Sequence, residues 1–225
     1  MNTADTGPDP TGRHDGPPHS SHPPGWAYEM RPLLTAADRA EAAALVQERG
    51  LALAARGIDA PASHADAFRD PLAEAVGMFE GGRAREVLVG CMLLHRPLSQ
   101  GCGGGPAPGL AVSLAHTAPA RTDHSGWLLT SWLADYAARA GISEVHAQVP
   151  GWSTGPTTGS AARLLGHLQD LGWRIANTGH DPQGQRVTRI RLAAIATPAL
   201  AALIRCTVPL HPTVAQLTPQ KGPTP

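Results

Sequence analysis

Three side chains close together in the chain could move a proton. His116, Glu144 and His146 lie in or beside the stretch Gly109–Ala147, and an unperturbed histidine titrates close to neutral pH. Between them runs Arg121-Thr-Asp-His-Ser-Gly126, a polar turn followed by an amphipathic run that opens on Trp127. A helix start leaves backbone N–H groups unpaired and carries the positive end of the helix dipole, so a turn ending at Gly126 suits an anion such as a phosphate. The same residues also fit a helix start capped by Asp123 or Ser125 with no ligand.

Other reactive side chains read more simply. Cys91 lies in the apolar run EVLVGCMLLHR and fits a small core residue, and Cys102 in its glycine loop has no basic neighbour to lower its pKa. His14, His19 and His22 fall in a Pro/Gly-rich arm, without the fixed geometry that metal ligands need, so no metal is expected. GCGGGPAPG does not open a helix and is not a dinucleotide fingerprint. Trp127 and Trp132 on the amphipathic run fit packing against the sheet.

The elements that must position these groups alternate. Ala27–Pro32 is a first strand, and Thr35-Ala-Ala-Asp38 has the spacing of a helix cap before an alanine-rich helix ending near Gly57. His64–Val76 reads as a second helix. Gly77–Phe79, the turn Glu80-Gly-Gly-Arg83 and Glu86–Arg96 form a hairpin, followed by a glycine-rich loop at Ser99–Pro108. Gly109–Ala147 is a strand, turn, helix, glycine stop and second strand, a βαβ unit. A loop at Gly151–Gly159, a helix at Ser160–Leu171, a strand at Arg174–Thr178 and a last strand at Arg186–Ala194 complete the order. Thr197-Pro198 then starts a short C-terminal helix. The fold class is α/β with a mixed sheet, one parallel crossover and flanking helices.

Composition bounds the rest. Hydrophobic residues make up 42% of the 225, enough for one packed domain with tails. Residues 1–25 form a tail too polar to offset its ordering entropy, 26–205 the domain and 206–225 a second tail. Lys+Arg and Asp+Glu both number 18, so no field of one sign draws the chain to nucleic acid or membrane. The longest apolar run, Leu192 to Ile204, is interrupted by Pro198 and too short to span a bilayer. Three cysteines and a polar first segment point to a reducing, cytoplasmic location.

Four places, in order, resemble the GNAT superfamily of N-acetyltransferases. They are Tyr28-Glu-Met-Arg31-Pro32 with Ala37-Asp38, the strand holding Val89-Gly90-Cys91, Leu114-Ala-His-Thr-Ala-Pro119 with Arg121 and Gly126-Trp-Leu-Leu129, and Leu164–Trp173. The resemblance covers roughly Ala27 to Ala194. It implies the GNAT fold, a central twisted mixed sheet flanked by helices, and transfer of an acetyl group directly from acetyl-CoA to a primary amine. It places Arg121, Ser125, Gly126 and Trp127 at the pyrophosphate and Leu114 and His116 along the pantetheine arm. The general base that this chemistry needs falls to His116, His146 or Glu144. The acceptor, a small-molecule or peptide amine, would lie near Arg56–Arg69 and Gly179–Gln185, and a homodimer is compatible with the fold. His124 stands where the family's first turn glycine belongs and Leu168 where it often has a tyrosine acid. These departures carry the alternative, a weak or inactive GNAT-like domain acting as a binding or regulatory module.

Overall fold

The computed structural model describes residues 27–56, 63–81, 86–96, 109–150, 158–181 and 184–210. The expected loops at Ser99–Pro108 and in residues 151–157, most of the turn after Glu80, Cys102 and both tails up to residue 26 and from residue 211 lie outside them.

The first strand, β1 (Tyr28–Pro32), leads into α1 (Ala36–Ala54) through the expected cap. The Thr35 hydroxyl accepts the Asp38 N–H at 3.0 Å, and the Asp38 carboxylate accepts the Thr35 N–H at 3.3 Å. Helix α1 buries Ala42, Ala43, Leu45 and Val46 against the sheet.

The second helix is shorter than expected. Helix α2 spans Ser63–Arg69, and Glu74–Val76, expected to be helical, opens strand β2 (Glu74–Glu80). Pro71 forbids the helix to continue. The carbonyls left by the turn go to a buried cation: Arg39 of α1 donates to Phe68, Asp70, Pro71 and Ala73 at 3.4, 2.6, 3.4 and 2.9 Å. Nothing within His64–Val76 signals a guanidinium arriving from another helix.

Strand β3 (Val87–His95) pairs with β2, as the expected hairpin requires, and β4 (Leu110–Thr117) pairs antiparallel with β3. Then come α3 (Thr122–Arg139) and β5 (Glu144–Pro150), parallel to β4, so the βαβ unit forms. Its glycine stop is Gly141, at φ +72°, with the Ile142 N–H reaching back to the Ala137 carbonyl at 2.9 Å. Helix α4 (Thr158–Asp170) ends the same way at Gly172, φ +95°.

Strand β6 (Arg174–His180) is an edge, and β7 (Arg186–Ala193) inserts between it and β5. Arg186–Ala194 is not the last strand. A 3-10 turn at Pro198–Ala202, in place of the expected C-terminal helix, leads to β8 (Ile204–Cys206), which adds a second parallel pairing beside β1. The sheet order is β6-β7-β5-β4-β3-β2-β1-β8.

Two apolar layers hold the sheet. One face packs on α3, with Trp132, Tyr136, Leu128, Val145 and Ile190 among its residues, and α4 adds Leu165 and Leu168. The other packs on α1 and α2 through Leu33, Phe68, Phe79, Cys91 and Leu93. No helix of the described residues is long and apolar enough to cross a membrane.

Candidate active site

The sheet opens at one place. Along β3, His95, Leu94 and Leu93 face Ala111, Val112 and Ser113, and further on Cys91 faces His116, so Leu114 and Ala115 together oppose Met92. This is a β-bulge, and Leu114 takes the left-handed conformation at φ 50°. A non-glycine residue there costs roughly 1 kcal/mol or more. On its other edge β4 meets β5 only at Leu110–Val145, Ala111–His146 and Val112–Ala147. Beyond that the strands part, and Gln148–Pro150 pair with β7 alone. A wedge therefore opens between residues 113–117 of β4 and 148–150 of β5.

The chain leaves the mouth of this wedge through a 3-10 turn, Pro119–Arg121, that runs directly into α3. The helical run thus starts seven residues before Gly126, not at it. Its unpaired N–H groups lie just after Pro119, whereas Gly126 is in the helix body with its N–H committed to the helix. A Cβ on Gly126 would meet His167 and Leu171 of the α4 end at 3.9 and 4.0 Å, ordinary contact, so no close approach demands a glycine. Ser125 is 2% exposed and turns its side chain inward. The Arg121 side chain lies outside the described residues. Trp132 is core, as expected, but Trp127 is 47% exposed, its ring stacked near His124, which in turn approaches Tyr28.

His116 sits on the wedge beyond the bulge. Uniform alternation from Ala111 and Ser113 would place Ala115 and Thr117 on the α1–α2 face; the extra residue puts His116 there instead, opposite Cys91 of that core. Its ring lies 5.8 Å from that of His64 and 6.3 Å, edge-on, from that of Phe68, both on α2. Nε2 is buried and has no hydrogen-bond partner among the described residues. Burial, then the charges of His64 and of Arg49 on α1, push the imidazole down to about 4. It is therefore neutral, with a lone pair free for a proton, throughout the neutral range. Neither His64 nor Arg49 announces itself in the sequence, because only the packing of α1 and α2 over β4 brings them to His116.

The other two proton-transfer candidates lie elsewhere. His146 pairs with Ala111 at the closed end of the wedge, so it stands roughly 15 Å along the strand direction from His116. It is exposed, and its ring covers Gly109, where a Cβ would come within 2.5 Å. Glu144 is tied to Arg191 at 3.1 Å. Leu168 packs into the α3 core and brings no acid to the wedge. Among the described residues no group of three His, Cys, Asp or Glu is arranged to hold a metal ion.

A parallel pair that splays at a bulge, with a helix start at its mouth, defines a class of fold. The overall fold is similar to that of an N-acetyltransferase from Staphylococcus aureus Mu50, 9% identical, with 74% of this chain and 97% of that one covered and a TM-score of 0.50. It is similar also to that of the aminoglycoside N(6')acetyltransferase from Legionella pneumophila subsp. pneumophila str. Philadelphia 1, 8% identical, over 76% and 94% of the two chains, also at 0.50. A Lactobacillus plantarum protein, 18% identical, matches over 75% of this chain and 99% of its own at 0.50. No protein-family model and no curated protein matches the sequence. The chain has the GNAT fold.

Proposed function

We propose that this protein is an acyltransferase that moves an acetyl group from acetyl-coenzyme A to a primary amine. The observation that carries the reading is the wedge. A strand edge freed of its partner beside a helix start offers a row of peptide groups to an extended amide-containing arm and N–H donors to its phosphates. Acetyl-coenzyme A supplies an activated thioester carbonyl when bound. Residues 113–117, with Leu114 and His116 among them, hold the pantetheine arm, and the turn around Arg121 holds the pyrophosphate, flanked by Ser125, Gly126 and Trp127.

His116 is the group best placed to take the proton. As the amine nitrogen forms its bond to the acyl carbon and the C–S bond breaks, the amine proton goes to the neutral imidazole, which hands it on to the leaving thiolate and returns to its neutral form. A base with so low a pKa accepts only a proton that the reaction itself makes acidic, so His116 acts as nitrogen gains positive charge. His146 and Glu144, at the closed end of the wedge, have no such access.

Calorimetric titration with acetyl-coenzyme A, against coenzyme A, ATP and NAD, tests the reading. Micromolar binding of the two coenzyme A species alone supports it; no heat and no thermal stabilisation from either would transfer the case to a non-catalytic binding domain.

A further inference from the structure

A primary amine brings two protons that the reaction must remove. At neutral pH it is an ammonium, whose lone pair is tied up in the third N–H bond. One proton must leave before the nitrogen can attack, and a second as the C–N bond forms. The second is the one that His116 passes to the leaving thiolate. The first must reach solvent, and one imidazole holds only one extra proton.

A second imidazole stands beside the first. His64 and Phe68 are four residues apart on α2, so both rings hang from one face of that helix. Both meet His116, at 5.8 and 6.3 Å between ring centres. Phe68 is fully buried and forms an inner wall, whereas His64 is half-buried, with part of its surface open to water. Arg39 pins the turn after α2, which fixes how the helix lies over β4. At this separation an amine nitrogen seated at hydrogen-bond distance, about 3 Å, from one ring can lie equally close to the other.

The groups around the pair keep both rings neutral. The charge of Arg49 on α1 acts on His116, and Cys91 lies opposite it on β3 with its thiol kept protonated by burial. On α2, Asp66 and Arg69 are bonded to each other at 2.7 Å. Burial pushes His64 below the ordinary histidine value, so at pH 7.5 it is neutral and able to accept a proton.

We propose that His64 is a second catalytic base, which takes the first proton from the bound ammonium and releases it to solvent before His116 takes the second. This rests on the acyltransferase reading. The balance closes: an ammonium and the acyl thioester give the amide, the coenzyme A thiol and one proton, and that proton leaves by way of His64. The N–C bond forms, the C–S bond breaks, and nothing is oxidised or reduced.

The test compares acetyl transfer to benzylamine, an ammonium at pH 7.5, with transfer to aniline, which is uncharged there and has only one proton to lose. Wild type, His64→Gln, His64→Ala and His116→Gln are measured, with acetyl-coenzyme A affinity determined separately. His64→Gln should lower kcat for benzylamine on the order of 10²-fold, with the aniline rate and the coenzyme affinity held within about twofold. His116→Gln should slow both amines. Added imidazole should restore the benzylamine rate of His64→Ala, which a purely structural loss would not allow. In proton NMR, His116 should titrate at a higher pH in His64→Gln than in the wild type, because a neighbouring positive charge is gone. Equal slowing of both amines by His64→Gln, slowing of neither, an unmoved His116 titration, or wild-type transfer to aniline alone overturns the proposal. If benzylamine alone is a substrate, failure of imidazole to restore His64→Ala overturns it. A wild type that binds no coenzyme A, or binds it and transfers to neither amine, overturns the acyltransferase reading instead.

Discussion

His116 makes the stability of this protein depend on pH in a way that can be separated from every other group. In the unfolded chain its imidazole titrates at the ordinary 6.5, and in the folded protein at about 4. Between those values the unfolded state binds a proton that the native state refuses, so stability is fully present above pH 6.5 and falls as the pH drops toward 4. At about 1.4 kcal/mol per unit the shift corresponds to on the order of 3 kcal/mol, and solvent on the exposed side of the ring reduces the expected loss to about 2 kcal/mol. Urea denaturation followed by circular dichroism at pH 7.5, 6.5, 5.5 and 4.5 measures it. His116→Gln removes the titrating group, so the gap between wild type and variant should shift by about 2 kcal/mol toward the variant on acidification. His64, also lowered by burial, contributes its own slope to both proteins and cancels to first order in the difference. Stability curves that stay parallel within 0.5 kcal/mol or so across this range would mean that His116 is solvated and that the packing of α2 over β4 has been misjudged.

Three further outcomes follow from the same geometry. Arg39→Ala takes the guanidinium from the carbonyls of Phe68, Asp70, Pro71 and Ala73, of which Asp70 and Ala73 keep a backbone N–H donor, and should cost about 2–4 kcal/mol in chemical denaturation, with the α2–β2 turn the first amides to exchange. Gly126→Ala should stabilise the protein by about 0.5–1 kcal/mol in thermal melts and leave coenzyme A affinity within twofold or so, because the new methyl meets only ordinary contacts in a helix body. Deleting Ala115 pairs Leu114 with Met92 and keeps His116 opposite Cys91, so the fold should persist while the wedge narrows. Calorimetry should then show at least a roughly tenfold loss of coenzyme A affinity, and undiminished binding would sever the bulge from the cofactor.

Much of the architecture follows from local chemistry that can be read residue by residue. The Thr35–Asp38 cap, the glycine stop of the βαβ unit at Gly141 and the alternation of strands and helices depend on neighbours a few positions apart, and the folded protein has each of them. The βαβ unit follows from that order, and the GNAT fold is what the resemblance of four segments of the sequence implies. What the tertiary structure alone decided depends on residues distant in the chain. Arg39 fills the turn after α2 from another helix, β7 enters between β5 and β6, and β8 closes the far edge. The site shows the same division. His116 was visible as a candidate, but the bulge that turns it to the α1–α2 face arises from pairing with β3, which no pattern within Leu110–Thr117 reports. His146 and Glu144 were equal candidates in sequence and are separated from it by the register of β5. Polarity puts the end of the turn at Gly126, whereas the helical run begins where Pro119 and the end of β4 let the backbone close. Residue type tells which groups can do chemistry; the pairing of strands, a long-range and cooperative choice, decides which of them meet.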